Sequence, residues 1–161
     1  MSTFTDQPTF LGSPRIALDD IHPGMTVVSG APHSMRVGRF GERLGPRSIR
    51  EHSINIADKM RTSWKDGFID VSTGRKLTPA AENRLVDVGD LNIYPADVMK
   101  TTEGIAGGVS SIVKRGGFSA CLGGDHYTGY PSCLGYTRAL TEARPNAKVG
   151  YIHIDGHLDF A

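Results

Sequence analysis

Two short clusters in this chain combine residue types that turns alone do not require. One reads Gly123-Gly124-Asp125-His126, and the other reads Asp155-Gly156-His157-Leu158-Asp159. Each follows an apolar run. Around the second, the odd positions His153, Asp155, His157 and Asp159 alternate with Ile152, Ile154 and Leu158. In an extended chain alternate side chains share a face, so one face would carry imidazoles and carboxylates while the other packs inward. Acids gathered at the end of a buried strand are costly unless something positive sits among them. A divalent metal meets that need directly. Imidazole nitrogen with carboxylate oxygen suits first-row metals rather than calcium, and a carboxylate can bridge two ions that share and deprotonate one water. Taken alone, the second cluster reads equally well as capping aspartates and a solvated loop histidine. The first cluster, at another strand end, tips the balance toward metal.

Something must bring the two clusters together, and the chain pattern supplies a framework. Residues 1–24 read as an irregular arm containing Pro8, Pro14 and Pro23. Strands are expected at 25–30, 84–88, 118–122 and 148–154, and a small hairpin over 68–71 and the residues after Thr73-Gly74. Helices are expected over 46–60, 95–114 and 131–143, the first opened by Pro46 and the second stopped by Gly116-Gly117. Strand and helix alternating at this spacing argue for a parallel α/β sheet with helices on its faces. Functional groups in such sheets lie in the loops past the carboxyl ends of the strands. Both clusters occupy such loops.

Composition narrows the classes. The chain has 161 residues, 39% of them hydrophobic, enough for one globular domain rather than a disordered segment. Its 20 glycines exceed the roughly 11 that average usage would give, which points to tight turns and close backbone approaches. A formal net charge of +1 gives no electrostatic case for nucleic acid or an anionic membrane. Cys121 and Cys133 read as small buried hydrophobes rather than a disulfide, so the expected setting is the cytoplasm. No apolar stretch approaches a membrane span, and the first eight residues do not resemble a secretory signal.

In this order and spacing, Gly123-Gly124-Asp125-His126 and Ile152-His153-Ile154-Asp155-Gly156-His157-Leu158-Asp159 resemble the ureohydrolases: arginase, agmatinase and related guanidino-hydrolysing enzymes. Earlier segments add to the resemblance, which runs from about residue 25 to the end. Gly30-Ala31-Pro32 is similar to the family's early Gly-x-Pro. Gly41-Glu42-Arg43-Leu44-Gly45-Pro46 with Ile49-Arg50 is similar to a pattern of the agmatinase branch, and Asp87-Val88-Gly89-Asp90 to its Asp-x-Gly-Asp.

The resemblance implies a three-layer α/β/α sandwich, incomplete in this chain, and two manganese ions, with nickel or cobalt as substitutes. The implied reaction is hydrolysis of a small guanidino substrate to urea and an amine, by attack of a metal-bridging hydroxide on the guanidinium carbon. By position, His126 and Asp159 would ligate one metal, His157 the other, and Asp155 would bridge both and position the hydroxide. Asp125 and His153 would stand beside the ligands and orient them. A homo-oligomer, trimer or hexamer, is likewise implied by the resemblance alone.

Departures from the family pattern bear on substrate. Gly156 stands where alanine is usual, Tyr127-Thr128-Gly129 where Ser-Ile-Thr is common, and Ser34 where agmatinase-like members often carry aspartate. The family's later Asp-x-Asp does not occur before Ala161. The chain is therefore expected to be the front portion of a longer enzyme, with further catalytic residues beyond Ala161 and no turnover by the 161 residues alone. Agmatine, guanidinobutyrate, guanidine and arginine all remain open as substrates. A deacetylase-fold amide hydrolase would typically carry Asp-x-His-His, and Leu158-Asp159 argues against it. An assembly module lacking the full metal site is the alternative of a different class.

The remaining signals read more plainly. His22, His33 and His52 are expected at surface or loop positions, with His33 the one near a strand end. Gly104-Ile105-Ala106-Gly107-Gly108 reads as close helix packing rather than a phosphate loop, since no Lys-Ser or Lys-Thr follows. Arg43, Arg47 and Arg50 read as a salt-bridged helix start.

Overall fold

The computed structural model describes residues 7–35, 41–77 and 84–157. Its elements in chain order are β1 (Thr26–Ala31), α1 (Gly45–Arg61), β2 (Phe68–Ile69), β3 (Lys76–Leu77), β4 (Leu85–Asp90), α2 (Val98–Lys114), β5 (Phe118–Gly123) and α3 (Gly129–Ala143). Strands β4, β1 and β5 form a parallel sheet in that order, and β2 pairs antiparallel with β3 as a separate hairpin. The three expected helices and the first three expected strands are present, each bounded within about three residues of its sequence limits.

Strand β1 is central, and its last five residues are buried. Val27 joins Ile21, Val86 and Ile112 in one apolar cluster, and Ala31 joins Leu91, Ile105 and Val109 in a second. Both clusters place α2 against this face of the sheet. Helix α3 packs on α2 closely enough that a Cβ at Gly135 would collide with the Ala106 backbone. Within α2, Gly104 and Gly108 lie against Asn92 and Leu91, so the glycine-rich run is indeed a packing surface. Asp97 caps α2 by accepting a hydrogen bond from the Lys100 N–H at 2.9 Å.

Helix α1 buries Pro46, Arg50, Ser53 and Ala57, spaced as one helical stripe. A charged residue on that stripe requires a partner. It finds two on β4. Arg50 donates to Asp87 at 2.8 and 3.0 Å and to Asp90 at 2.5 Å, and its side chain is wholly inaccessible. Residues three apart on a regular strand point to opposite faces. Here the pairing with β1 slips between Val28↔Asp87 and Gly30↔Asp90, and Gly89 adopts φ 81°. This glycine-dependent bulge turns Asp87 and Asp90 toward the same guanidinium. The expected salt bridges form at both Arg47, which pairs with Glu51 at 2.7 Å on the surface, and Arg50, whose pairing with Asp87 is buried.

Residues 7–24 are irregular but packed. The Ile16 N–H donates to the Asp87 carbonyl and the Asp87 N–H to the Pro14 carbonyl, which closes the outer edge of β4. Cys121 and Cys133 are free and half-buried, and burial pushes the Cys121 thiol up.

One expected element is absent. Residues 148–154 form no strand, and Tyr151, Ile152 and Ile154 are exposed, the last at 94%. Apolar, β-branched composition favours a strand only where a neighbour offers backbone partners and other layers cover its faces. Among the described residues, α1 and α2 lie against the β4-β1-β5 sheet and α3 packs on α2, and nothing comparable covers 148–154.

Candidate functional site

The site is built where β1 and β5 end. Gly124 donates to the Ala31 carbonyl at 2.9 Å and Asp125 to the His33 carbonyl at 3.0 Å, so the loops after the two strands run side by side. Their approach requires Gly124, since a Cβ there would collide with the His33 backbone. Asp125 accepts a hydrogen bond from the Met35 N–H at 2.5 Å through Oδ2, and its carbonyl accepts from the Thr128 hydroxyl at 2.8 Å. The short 3-10 turn His126–Thr128 then leads into α3. These contacts hold the backbone on both sides of His126 while its side chain stays 64% exposed.

The second segment arrives as coil, yet its polar residues converge on the first. His126 Nδ1 lies 3.4 Å from Asp155 Oδ2, His153 Nε2 lies 3.3 Å from the same oxygen, and His157 Nδ1 lies 3.4 Å from Oδ1. The rings of His126 and His153 stack with centroids 5.3 Å apart. Asp155 Oδ1 also accepts the His157 N–H at 2.9 Å. That bond comes first in holding the Asp155 carboxyl down at about 2, followed by the His153 hydrogen bond and the nearby imidazoles, against a smaller opposing effect of burial. Asp155 is thus an acceptor at the centre of three imidazoles.

This donor set suits a transition metal. His126, His153 and Asp155 each offer one ligand atom, and these atoms all lie within 4.8 Å of one another. Two imidazole nitrogens and a carboxylate oxygen, open to solvent on one side, match the ligand preferences of first-row divalent ions. Of the residues expected from sequence to hold metal, His126 and Asp155 come together, His157 stands beside the other oxygen of Asp155 outside that group, and Asp159 lies outside the described residues. His153, expected to orient its neighbours, stands as close to Asp155 as His126 does. Asp125 faces the Met35 amide rather than the histidines, and its Oδ1 is buried without a partner.

Expected at a surface or loop position, His33 does lie in the loop after β1, but it is buried rather than on the surface. It is 4% exposed, its Nε2 has no hydrogen-bond partner among the described residues, and its ring meets Tyr127 edge-on at 5.9 Å. Its position directly after β1 was the available signal. His22 and His52 are exposed, as expected.

A parallel α/β sheet with the loop after β5 meeting a His- and Asp-bearing coil defines an α/β fold with a candidate metal site, and comparison narrows the class. The Arginase family profile matches residues 25–161, and the chain belongs to that family. It is 29% identical over 136 residues to an agmatinase from Blochmanniella floridana, covering 83% of this chain and 39% of the relative. It is 31% identical over 121 residues to the mitochondrial guanidino acid hydrolase of Homo sapiens, covering 75% and 29%. Among solved structures, a hypothetical agmatinase from Burkholderia thailandensis superposes with a TM-score of 0.63 at 24% identity, covering 85% of this chain and 39% of that one. Proclavaminate amidino hydrolase from Streptomyces clavuligerus gives 0.57 at 26% identity, covering 84% and 40%. The chain spans about two-fifths of the length of these agmatinases. No helix among the described residues is long and apolar enough to cross a membrane.

Proposed function

We propose that this chain supplies part of the metal centre of an agmatinase-like guanidino hydrolase that splits a linear guanidino compound into urea and an amine. The observation that carries the reading is the meeting of His126, from the loop after β5, with Asp155, from a segment 29 positions later. Two motifs far apart in sequence would not converge on one carboxylate oxygen for packing reasons, since both are solvent-accessible.

His126, Asp155, His157 and Asp159 would hold manganese, with nickel or cobalt as substitutes. A divalent metal held there supplies a Lewis acid that lowers the pKa of water and stabilises charge developing at the guanidinium carbon. The chain's own groups prepare that site. The His157 N–H keeps Asp155 ionised and aimed. The Met35 N–H fixes Asp125, which steadies the turn bearing His126. His153 stacks on His126 and limits its ring orientation. Agmatine, guanidinobutyrate, arginine and guanidine are the candidate substrates, and a cytoplasmic homo-oligomer is the proposed setting.

Exposure favours a second reading for the 161 residues alone. His157 is 85% exposed and residues 148–154 form no strand, as expected of an assembly module that keeps the sheet but lacks the full metal site. One experiment separates the two. Urea release from each of the four substrates is measured with manganese, for this chain and for a form extended by the relatives' remaining length. Activity of the extended form alone supports the hydrolase reading with an incomplete site. Absence of activity in both, with manganese bound, would leave the module reading.

A further inference from the structure

The buried charge cluster at the end of β4 has no part in the chemistry proposed above, yet it lies one short step from the loop that carries His126. We propose that Arg50, together with Asp87 and Asp90, is a positioning residue that fixes this loop through the start of α1. The inference rests on the metal-site reading only for its functional consequence.

The mechanical path is short. Arg50 ties α1 to the carboxyl end of β4 through both carboxylates. Asp87 is itself pinned by the Phe10 N–H at 2.9 Å and the Gly89 N–H at 2.8 Å, so the anchor is rigid. Five residues earlier, Gly45 opens α1 directly against the last residue of β5: a Cβ built there would stand 2.9 Å from the Gly123 carbonyl oxygen. His126 follows Gly123 by three residues. From the other side the same region is tied in by β1. The Leu91 N–H donates to the Gly30 carbonyl at 2.7 Å, and Gly30 is so close to Asp90 and Arg50 that it leaves no room for a Cβ. The cluster therefore sets where the helix start and the end of β1 both stand; Gly123 lies against the first, and the Gly124–Asp125 turn that follows it is hydrogen-bonded to the chain leaving the second.

Removing the guanidinium leaves Asp87 buried, with Asp90 beside it and their positive partner gone. Two carboxylates in that position repel each other and require water. Relief comes from moving α1 away from β4, and the first contact this loosens is Gly45 on Gly123. A lysine could satisfy one carboxylate but not both in the forked geometry, so Arg50→Lys should fall between.

The test compares Arg50→Met and Arg50→Lys with Ile112→Ala, which opens a cavity in the apolar cluster with Ile21, Val27 and Val86 and so destabilises the fold without touching the loop. The readouts are hydrogen exchange of the Gly124 and Asp125 amides in the metal-free chain, set against global stability, and manganese affinity by electron paramagnetic resonance. We expect exchange at these two amides in Arg50→Met to exceed that in the control by about tenfold or more at matched stability, with Arg50→Lys intermediate. Manganese affinity should fall by about tenfold. If Arg50→Met does not fold, Arg50→Lys carries the same comparison. Equal exchange in the arginine variants and the control, or unprotected amides in the unaltered chain, overturns the proposal. Loosened amides in a chain that binds no manganese would uphold the positioning role while the metal reading fails.

Discussion

Arg50 and Asp155 each sit among groups of opposite or ionisable charge, and the two clusters are built differently. Around Arg50 the donor–acceptor distances run from 2.5 to 3.0 Å, and both Arg50 and Asp87 are inaccessible. Around Asp155 the imidazole nitrogens stand at 3.3 to 3.4 Å, and the surrounding side chains are 33% to 85% exposed. In the first cluster Arg50 and Asp87 are satisfied within the fold, and Asp90 alone of the three reaches solvent, at 28%. The second brings good donors together without saturating them and leaves them open to solvent. Charge that is buried and closed holds a fold in one arrangement, whereas charge that is gathered and left open is available to a metal or substrate.

Substitutions should separate the two clusters by what they damage. Arg50→Met should cost the most stability, about 3–5 kcal/mol, because it strands the buried Asp87 carboxylate rather than deleting a surface pair. Urea denaturation followed by circular dichroism measures this, and a loss under 1 kcal/mol would mean the cluster is hydrated rather than closed. Asp155→Asn should cost less stability than Arg50→Met but abolish measurable manganese binding by calorimetry. His153→Asn should weaken binding by about 10–100-fold, the usual scale for a group that orients ligands. Equal losses in these two variants would make His153 a full partner of Asp155.

Acid should act on the open cluster in a defined window. The folded Asp155 carboxyl is held at about 2, below the ordinary 3.8, so it favours the folded arrangement above about pH 4 and that contribution is lost as pH falls toward 2. Carbon-detected NMR titration of the Asp155 carboxyl should give a midpoint near 2. In His153→Asn the midpoint should rise only part of the way, since the His157 N–H is the larger cause. A midpoint near 4 in the unaltered chain would show that the His157 bond does not form.

The smallest effect belongs to a third kind of charge. Arg138 pairs with Glu103 across α2 and α3 at 2.6 and 3.0 Å, but both side chains are about half exposed. Glu103→Gln should leave the melting temperature unchanged within error, because exposed pairs are screened and their long side chains must be ordered. A clear loss would place this pair with Arg50 rather than with the solvated surface.

Much of this was legible in the residues. The helix opened by Pro46, the helix stopped by Gly116-Gly117 and the β-rich runs at β1, β4 and β5 are local patterns that need no partner to be recognised. The spacing of Asp125-His126 and of Asp155-Gly156-His157 pointed to a candidate metal site for the same reason, since residue types and intervals are written in the chain itself. The burial of His33 and Arg50 was not legible in this way, although the loop position of the one and the salt bridge of the other were. A histidine beside a strand end and an arginine near a helix start are usually surface residues, and only packing shows that both are buried.

Sequence alone determined the order of elements, the residue types of the candidate metal centre and the family pattern they follow. Tertiary structure decided which of them meet. The bulge at Gly89 that turns Asp87 and Asp90 to one guanidinium is a matter of register between two strands, and register exists only once β1 and β4 pair. The same holds in reverse for residues 148–154, whose composition favours a strand. Their backbone lacks a neighbouring ladder, and a strand's stability resides in its neighbours rather than in itself.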